Sequence, residues 1–225
     1  MMNLNMHFIK VFFLIQFMLY PVNLLYAQDT TEFKQIPIAG EILLGNDRMN
    51  FQTVINKRFP NNTRFVFFSV VNFSADYQNQ SYKNDYIGTA VLGYQLLPEF
   101  FGSIGASMNS ALGFRPILGV HYVHSKPSLM IIVSPGFHIT ETNNVEILSQ
   151  IEIKPELNEK YRLYTRLQGF YSHQTTRDLH SRSYINARLG IMKGFCALGI
   201  GANWDWYGPN MSFLENYGIF TRLYF

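Results

Sequence analysis

The chain is short of cysteine, of charge and of long apolar runs. A single cysteine, Cys196, in 225 residues leaves no disulfide framework and no paired-cysteine zinc site. Charged residues make up only 15% of the chain, against about 25% in an ordinary soluble domain. The net charge of +3 is small and scattered, which speaks against a nucleic-acid partner. Beyond residue 27 no stretch approaches the roughly 18 consecutive apolar residues of a membrane-spanning helix, so a helical membrane bundle is excluded. A Gly-rich phosphate loop and an HExxH motif are also missing. No cofactor and no metal are expected.

What is there is apolar and aromatic. Hydrophobic residues reach 48% and aromatics 16%, too much for a disordered chain. Yet the mean hydropathy is -0.01. The chain is therefore poor in charge, rich in Phe and Tyr, and neutral on average.

Lys10, the apolar run Val11 to Leu19, Pro21 and then Leu25-Tyr26-Ala27 before Gln28-Asp29 have the order of a secretory signal. Residues 1–27 read as that signal. Residues 28–225 read as the mature domain, with 28–35 a short periplasmic segment.

The mature region alternates with period two. Val145-Glu-Ile-Leu-Ser-Gln-Ile-Glu-Ile-Lys154 is the clearest block, and Tyr161–His173, Ser183–Met192, Phe195–Trp206 and Tyr217–Phe225 repeat it. Earlier strands are expected at 36–45, 50–59, 63–77, 85–97, 100–109, 114–124 and 128–139. Turn residues such as Asn61-Asn62, Pro98 and Gly194 separate them. That makes twelve strands. The first is the weakest, so ten is the alternative count.

One face of nearly every strand is apolar with aromatic ends, as in Phe51 and Phe59, Tyr161 and Tyr171, or Tyr217 and Phe225. The opposite face carries Glu41, Arg58, Arg64, Asp76, Arg115, Glu146, Glu152, Lys154, Arg162, Arg166, Arg188, Asp205 and Arg222. A secreted sandwich would turn the charges out into water. A transmembrane barrel turns them into its lumen and presents the apolar face to lipid. Signal sequence, aromatic strand ends and scarcity of helical periodicity favour an all-β, up-and-down transmembrane barrel of the outer-membrane kind. With both termini in the periplasm, the connections at 46–49, 78–84, 110–113, 140–144, 174–182 and 207–216 fall outside. The mostly shorter turns fall inside.

The last strand, Tyr217-Gly-Ile-Phe-Thr-Arg-Leu-Tyr-Phe225, resembles the C-terminal signal of Gram-negative outer-membrane barrels, with Tyr217, Ile219, Leu223 and Phe225 on one face. Phe114-Arg-Pro116, Ser181 to Asn186 and Asp205 to Asn210 are similar to segments of small, uncharacterised barrels of this class. The resemblance implies outer-membrane lipid as surroundings and the barrel assembly machinery as a partner. It implies no activity.

The charged face has two readings. One is an ion-pair web that stiffens a structural barrel. The other is a narrow passive pore whose excess of positive charge selects small anions. Glu146, Glu152 and Lys154 are expected near Arg162 and Arg166, and Arg166 near Arg188 and Asp205. An outer-leaflet lipid hydrolase is the enzymatic alternative. A symmetric 174–182 loop would set His173 opposite Ser183 at the outer rim, with Glu141 as the third group. An ordinary polar loop is the plainer reading of those residues. His121 and His138 are expected to face the lumen. Loops 174–182 and 207–216 could bind a protein partner of unknown kind.

Overall fold

The computed structural model describes residues 35–60, 62–80 and 83–225. The expected signal sequence at 1–27 and residues 28–34 of the segment after it lie outside the described residues. Period-two alternation becomes twelve strands. They are β1 (Ala39–Gly45), β2 (Arg48–Phe59), β3 (Asn62–Asp76), β4 (Asp85–Leu97), β5 (Phe100–Asn109) and β6 (Gly113–Lys126). They continue as β7 (Leu129–His138), β8 (Asn144–Ile153), β9 (Arg162–Gln174), β10 (Leu179–Lys193), β11 (Cys196–Tyr207) and β12 (Ser212–Tyr224).

Each strand pairs with its neighbours in chain order, and β12 returns to β1 to close an antiparallel barrel. Closure leaves no sheet edge with unpaired backbone groups. The count of ten fails at β1. That strand is short but fully paired, from Ala39↔Tyr224 to Gly45↔Gly218 on one side and from Ala39↔Val54 to Leu44↔Met49 on the other.

Strand bounds fall within a few residues of the expected ones, and most of the larger differences share a direction. β2 starts at Arg48, β10 at Leu179 and β12 at Ser212, all earlier than the apolar alternation begins. The hydrogen-bond ladder runs past the apolar belt, and its last rungs carry polar residues.

Both strand termini of the barrel, Ala39 and Tyr224, share one end with the turns at 60–61, 98–99, 127–128, 154–161 and 194–195. This is the terminal end. The connections at 46–47, 77–84, 110–112, 139–143, 175–178 and 208–211 lie at the other, the loop end. The expected length asymmetry has two exceptions: the two-residue connection at 46–47 on the loop end, and 154–161 on the terminal end, where Glu156 and Arg162 bridge to extend the β8–β9 hairpin.

The outer surface is apolar around the whole ring. Ile104 and Ile200 are 64% exposed and Ile219 is 61% exposed. Exposed aromatics bound this belt: Phe51, Phe73, Tyr86, Phe137 and Phe213 toward the loop end, and Phe59, Phe65, Tyr94, Phe100, Phe195 and Phe225 toward the terminal end. A soluble monomer rarely shows so large an apolar surface.

The inner face corrects the expectation of a uniformly polar lumen. Inward side chains of β2 to β8, among them Val66, Phe68, Ile87, Phe101, Ile117 and Ile132, form an apolar cluster with Phe170 and Tyr184. The ring is narrow enough for side chains from facing strands to meet. Some inward positions therefore behave as a packed core rather than as a channel wall.

Candidate functional site

The polar half of the lumen is built in layers. Nearest the terminal end, buried Glu41 meets Arg166 at 2.7 Å, Arg188 at 2.8 Å and Arg222 at 3.4 Å. Glu152 lies 3.5 Å from Arg222 and 2.6 Å from Lys154, and accepts hydrogen bonds from the hydroxyls of Tyr164 and Tyr224. Register places these groups together: Glu41 is opposite Arg222, Glu152 opposite Arg166, and Arg166 opposite Arg188. Gly201 makes the room, since a Cβ there would lie 2.7 Å from Arg188 Cδ.

A second set lies toward the loop end. Arg48 reaches Asp205 at 2.6 Å, and Arg182 bridges Asp205, at 3.1 Å, and Asp85. Arg115 and His138 share Glu146 at 3.2 Å and 2.8 Å.

Three contacts join strands on opposite sides of the ring. Asp85–Arg182 links β4 to β10, six places apart in the strand order, which is directly across. The Asn72 amide donates to the Tyr184 hydroxyl at 3.3 Å and the Gln52 amide to Gln168 at 2.7 Å, each joining strands five places apart. Contacts of this span run through the lumen. The spaces beside them are small: about 40 Å³ next to His121 and about 20 Å³ next to Asn186. A larger recess of about 320 Å³ opens at the loop end, lined by Asp85, Asn109, Glu146, Ser172, Arg182 and Tyr207 among others.

The expected lumen residues divide in two. Arg115, Glu146, Glu152, Arg166, Arg188, Asp205 and Arg222 are buried inside the ring, and Lys154 joins them through Glu152. Glu41 is buried with them, and Asp76 is buried at the loop end, 3.7 Å from Lys83. Arg58, Arg162 and Arg64 sit at the terminal mouth. Arg58 donates to Gln95 at 2.5 Å and lies over the Phe101 ring. Arg162 pairs with exposed Glu156 at 2.6 Å. Arg64 is exposed and donates to the Tyr94 hydroxyl at 3.2 Å, away from the lumen layers. Parity buries an inward side chain only where the ring surrounds it, and these three lie where the ring ends. Glu146 pairs with Arg115, not with Arg162 or Arg166, because β8 carries it toward the other end.

Sequence reasoning missed Arg48 and Arg182 by assigning both to loops. Each is a large cation next to a period-two run, which is the signal that the strand continues. Tyr164 was missed because, between Arg162 and Arg166 on the inward face, only the charged residues were singled out. His121 faces inward as expected, and Ser103 and Ser134 occupy its two ring nitrogens.

The proposed pairing of His173 with Ser183 is corrected. A bulge between His180 and Arg182 shifts the hairpin register, so Ser183 stands opposite Tyr171 and His173 opposite His180. His173 Nε2 lies 3.0 Å from Asp178. Glu141 is exposed in the 139–143 loop, and no hydrogen bond among the described residues joins it to either. The histidine that meets Ser183 is His180, with Nε2 3.0 Å from the hydroxyl.

The barrel has solved counterparts. The KdgM porin matches with 14% identity and a TM-score of 0.45 over 84% of this chain and 99% of that one. The NanC porin matches with 9% identity and a TM-score of 0.45 over the same shares. OmpT, an outer-membrane protein of Vibrio cholerae, matches with 9% identity and a TM-score of 0.37 over 88% of this chain and 100% of that one. No protein-family model matches the sequence, and no curated protein does. The function is therefore argued from the side chains of this barrel.

Proposed function

We propose that the chain is an integral outer-membrane barrel of a Gram-negative cell whose lumen is closed, so that it acts as a structural barrel rather than as an open pore. The belt of Ile104, Leu118, Leu167, Ile200 and Ile219 between two aromatic rows supports a bilayer setting, where such a surface meets hydrocarbon instead of water. Short turns and both strand termini at one end suit a periplasmic position, with the loop end outside. On β12, Tyr217 and Ile219 face outward and Phe225 is 72% exposed, which suits recognition by the barrel assembly machinery.

The observation that carries the closed lumen is the set of cross-lumen contacts stacked on the Glu41 layer. A solute would have to break Asp85–Arg182, Asn72–Tyr184 and Gln52–Gln168 in turn. Asp85–Arg182 is charge-assisted, the stronger kind, and the other two are neutral hydrogen bonds deeper in the ring. Solute release from proteoliposomes tests the reading. Liposomes holding the folded protein should retain entrapped sugars and small anions as well as empty liposomes do. Release of the small solutes alone would support the passive pore instead.

A further inference from the structure

We propose a second site, on the outward face at the loop end, in which Ser183 is an acyl nucleophile and His180 its general base, acting on carboxylic-ester lipids of the outer leaflet. It rests on the membrane placement proposed above.

Ser183 Oγ lies 3.0 Å from His180 Nε2, and His180 Nδ1 lies 2.7 Å from the backbone oxygen of Gly208. A carbonyl only accepts, so Nδ1 carries the ring proton and donates it. Nε2 then turns its lone pair to the Ser183 hydroxyl, which donates. A nucleophilic serine needs this chain of a base within reach, oriented by a third group. No other described histidine combines it with access from outside the ring. His173, His124 and His138 face the carboxylates of Asp178, Glu99 and Glu146. His121 is held between two serine hydroxyls inside the packed lumen.

The bulge makes the pair. With period-two alternation unbroken, residues 180 and 183 would point to opposite faces of β10. The irregularity between His180 and Arg182 brings the imidazole onto the face of Ser183. Gly208 holds the arrangement from β11's side, its N–H donating to Ser181 O at 2.9 Å. Its φ of 66° is one that glycine adopts freely.

The setting selects the substrate. Ser183 stands directly between Tyr171 on β9 and Trp206 on β11. Trp206 packs on Phe213 at 5.3 Å, and Tyr171 on His180 at 5.7 Å. The serine thus interrupts the loop-end aromatic row. Such rows mark the headgroup level of a bilayer, and the ester bonds of membrane lipids lie at that depth. Lateral diffusion brings an ester to Ser183 without the lumen being involved.

Ser183 Oγ adds to the ester carbonyl carbon as its proton passes to His180 Nε2. The tetrahedral intermediate collapses, the ester C–O bond breaks, and the leaving alcohol takes the proton from His180. Water, deprotonated by His180, then adds to the acyl-serine. Collapse frees the carboxylic acid and returns the Ser183 hydroxyl. Ester and water give acid and alcohol, with no redox step.

The test uses the full chain folded in detergent. One arm treats it with a fluorophosphonate and locates the adduct by peptide mass spectrometry. The other supplies mixed micelles of phosphatidylethanolamine or of lipopolysaccharide and measures released fatty acid. The adduct should form on Ser183, and fatty acid should be released from at least one lipid, which identifies the source of the ester. Ser183→Ala should abolish both signals. His180→Gln should slow release by about 10²-fold or more, while His173→Asn should leave it unchanged. Circular dichroism of each variant separates lost chemistry from lost fold. The proposal is overturned if folded wild-type protein forms no adduct and releases no fatty acid from either lipid, or if release survives Ser183→Ala. Hydrolysis of a soluble p-nitrophenyl ester by protein that folds without detergent would support the pair and overturn the membrane placement.

Discussion

At the scale of single residues, two buried groups hold the ring together. Glu41 is 2% exposed and faces Arg166, Arg188 and Arg222. Removing one partner of a buried ionic cluster leaves charge uncompensated, at a cost of about 3–5 kcal/mol. Glu41→Ala should therefore lower stability by that order in urea unfolding followed by tryptophan fluorescence, and exposed Asp178→Asn should change it little. Asn216 has a different task. β1 ends at Gly45, and beyond it the Asn216 side chain spans from β12 to β2. It accepts from the N–H groups of Asp47 and Arg48 at 3.2 Å and donates to Arg48 O at 2.9 Å and Asn50 Oδ1 at 2.7 Å. It substitutes for a rung that no strand supplies. Asn216→Ala leaves several of these groups unpaired, at about 1–3 kcal/mol for each that water cannot reach. Hydrogen exchange at Arg48 should rise first. Neither residue stands out in the sequence as a hub. Glu41 shows its face by alternation, but its three arginines lie 125, 147 and 181 positions away, and only closure of the ring brings them together.

At the scale of elements, alternation made β8 to β12 legible because their inward faces are mostly polar and their outward faces mostly apolar. β3 was harder to read for a physical reason. Phe65-Val66-Phe67-Phe68 shows no alternation, because one face meets the outer surroundings and the other the apolar cluster with Val66 and Phe68. The β9–β10 hairpin misled differently. Its register turns on one extra residue, which no period reveals, and the error moved the partner of Ser183 from His180 to His173. The outward faces allow a test of the surroundings. Ile200→Arg, in mid-belt, should cost about 2–4 kcal/mol in a bilayer, whereas arginine at Phe114, near the loop-end rim, should cost about 0–1 kcal/mol. The check is denaturant unfolding in lipid vesicles. Equal, small effects at both positions would mean that water, not hydrocarbon, surrounds the belt.

At the scale of the whole molecule, the odd composition acquires a cause. Low charge with neutral hydropathy results when an apolar outer face and a partly ionic inner face are averaged along the same strands. The interior adds what alternation alone did not show: half of it is a core. Apolar packing around Phe68 and Phe101 fills part of it, and the ionic groups around Glu41, Glu146 and Asp205 fill the rest. The central claim is that these layers close the lumen, and single-channel recording in a planar bilayer tests it most directly. Purified, folded protein should give no current steps above the protein-free membrane at moderate voltage. Stable, reproducible openings of the wild-type chain would contradict it.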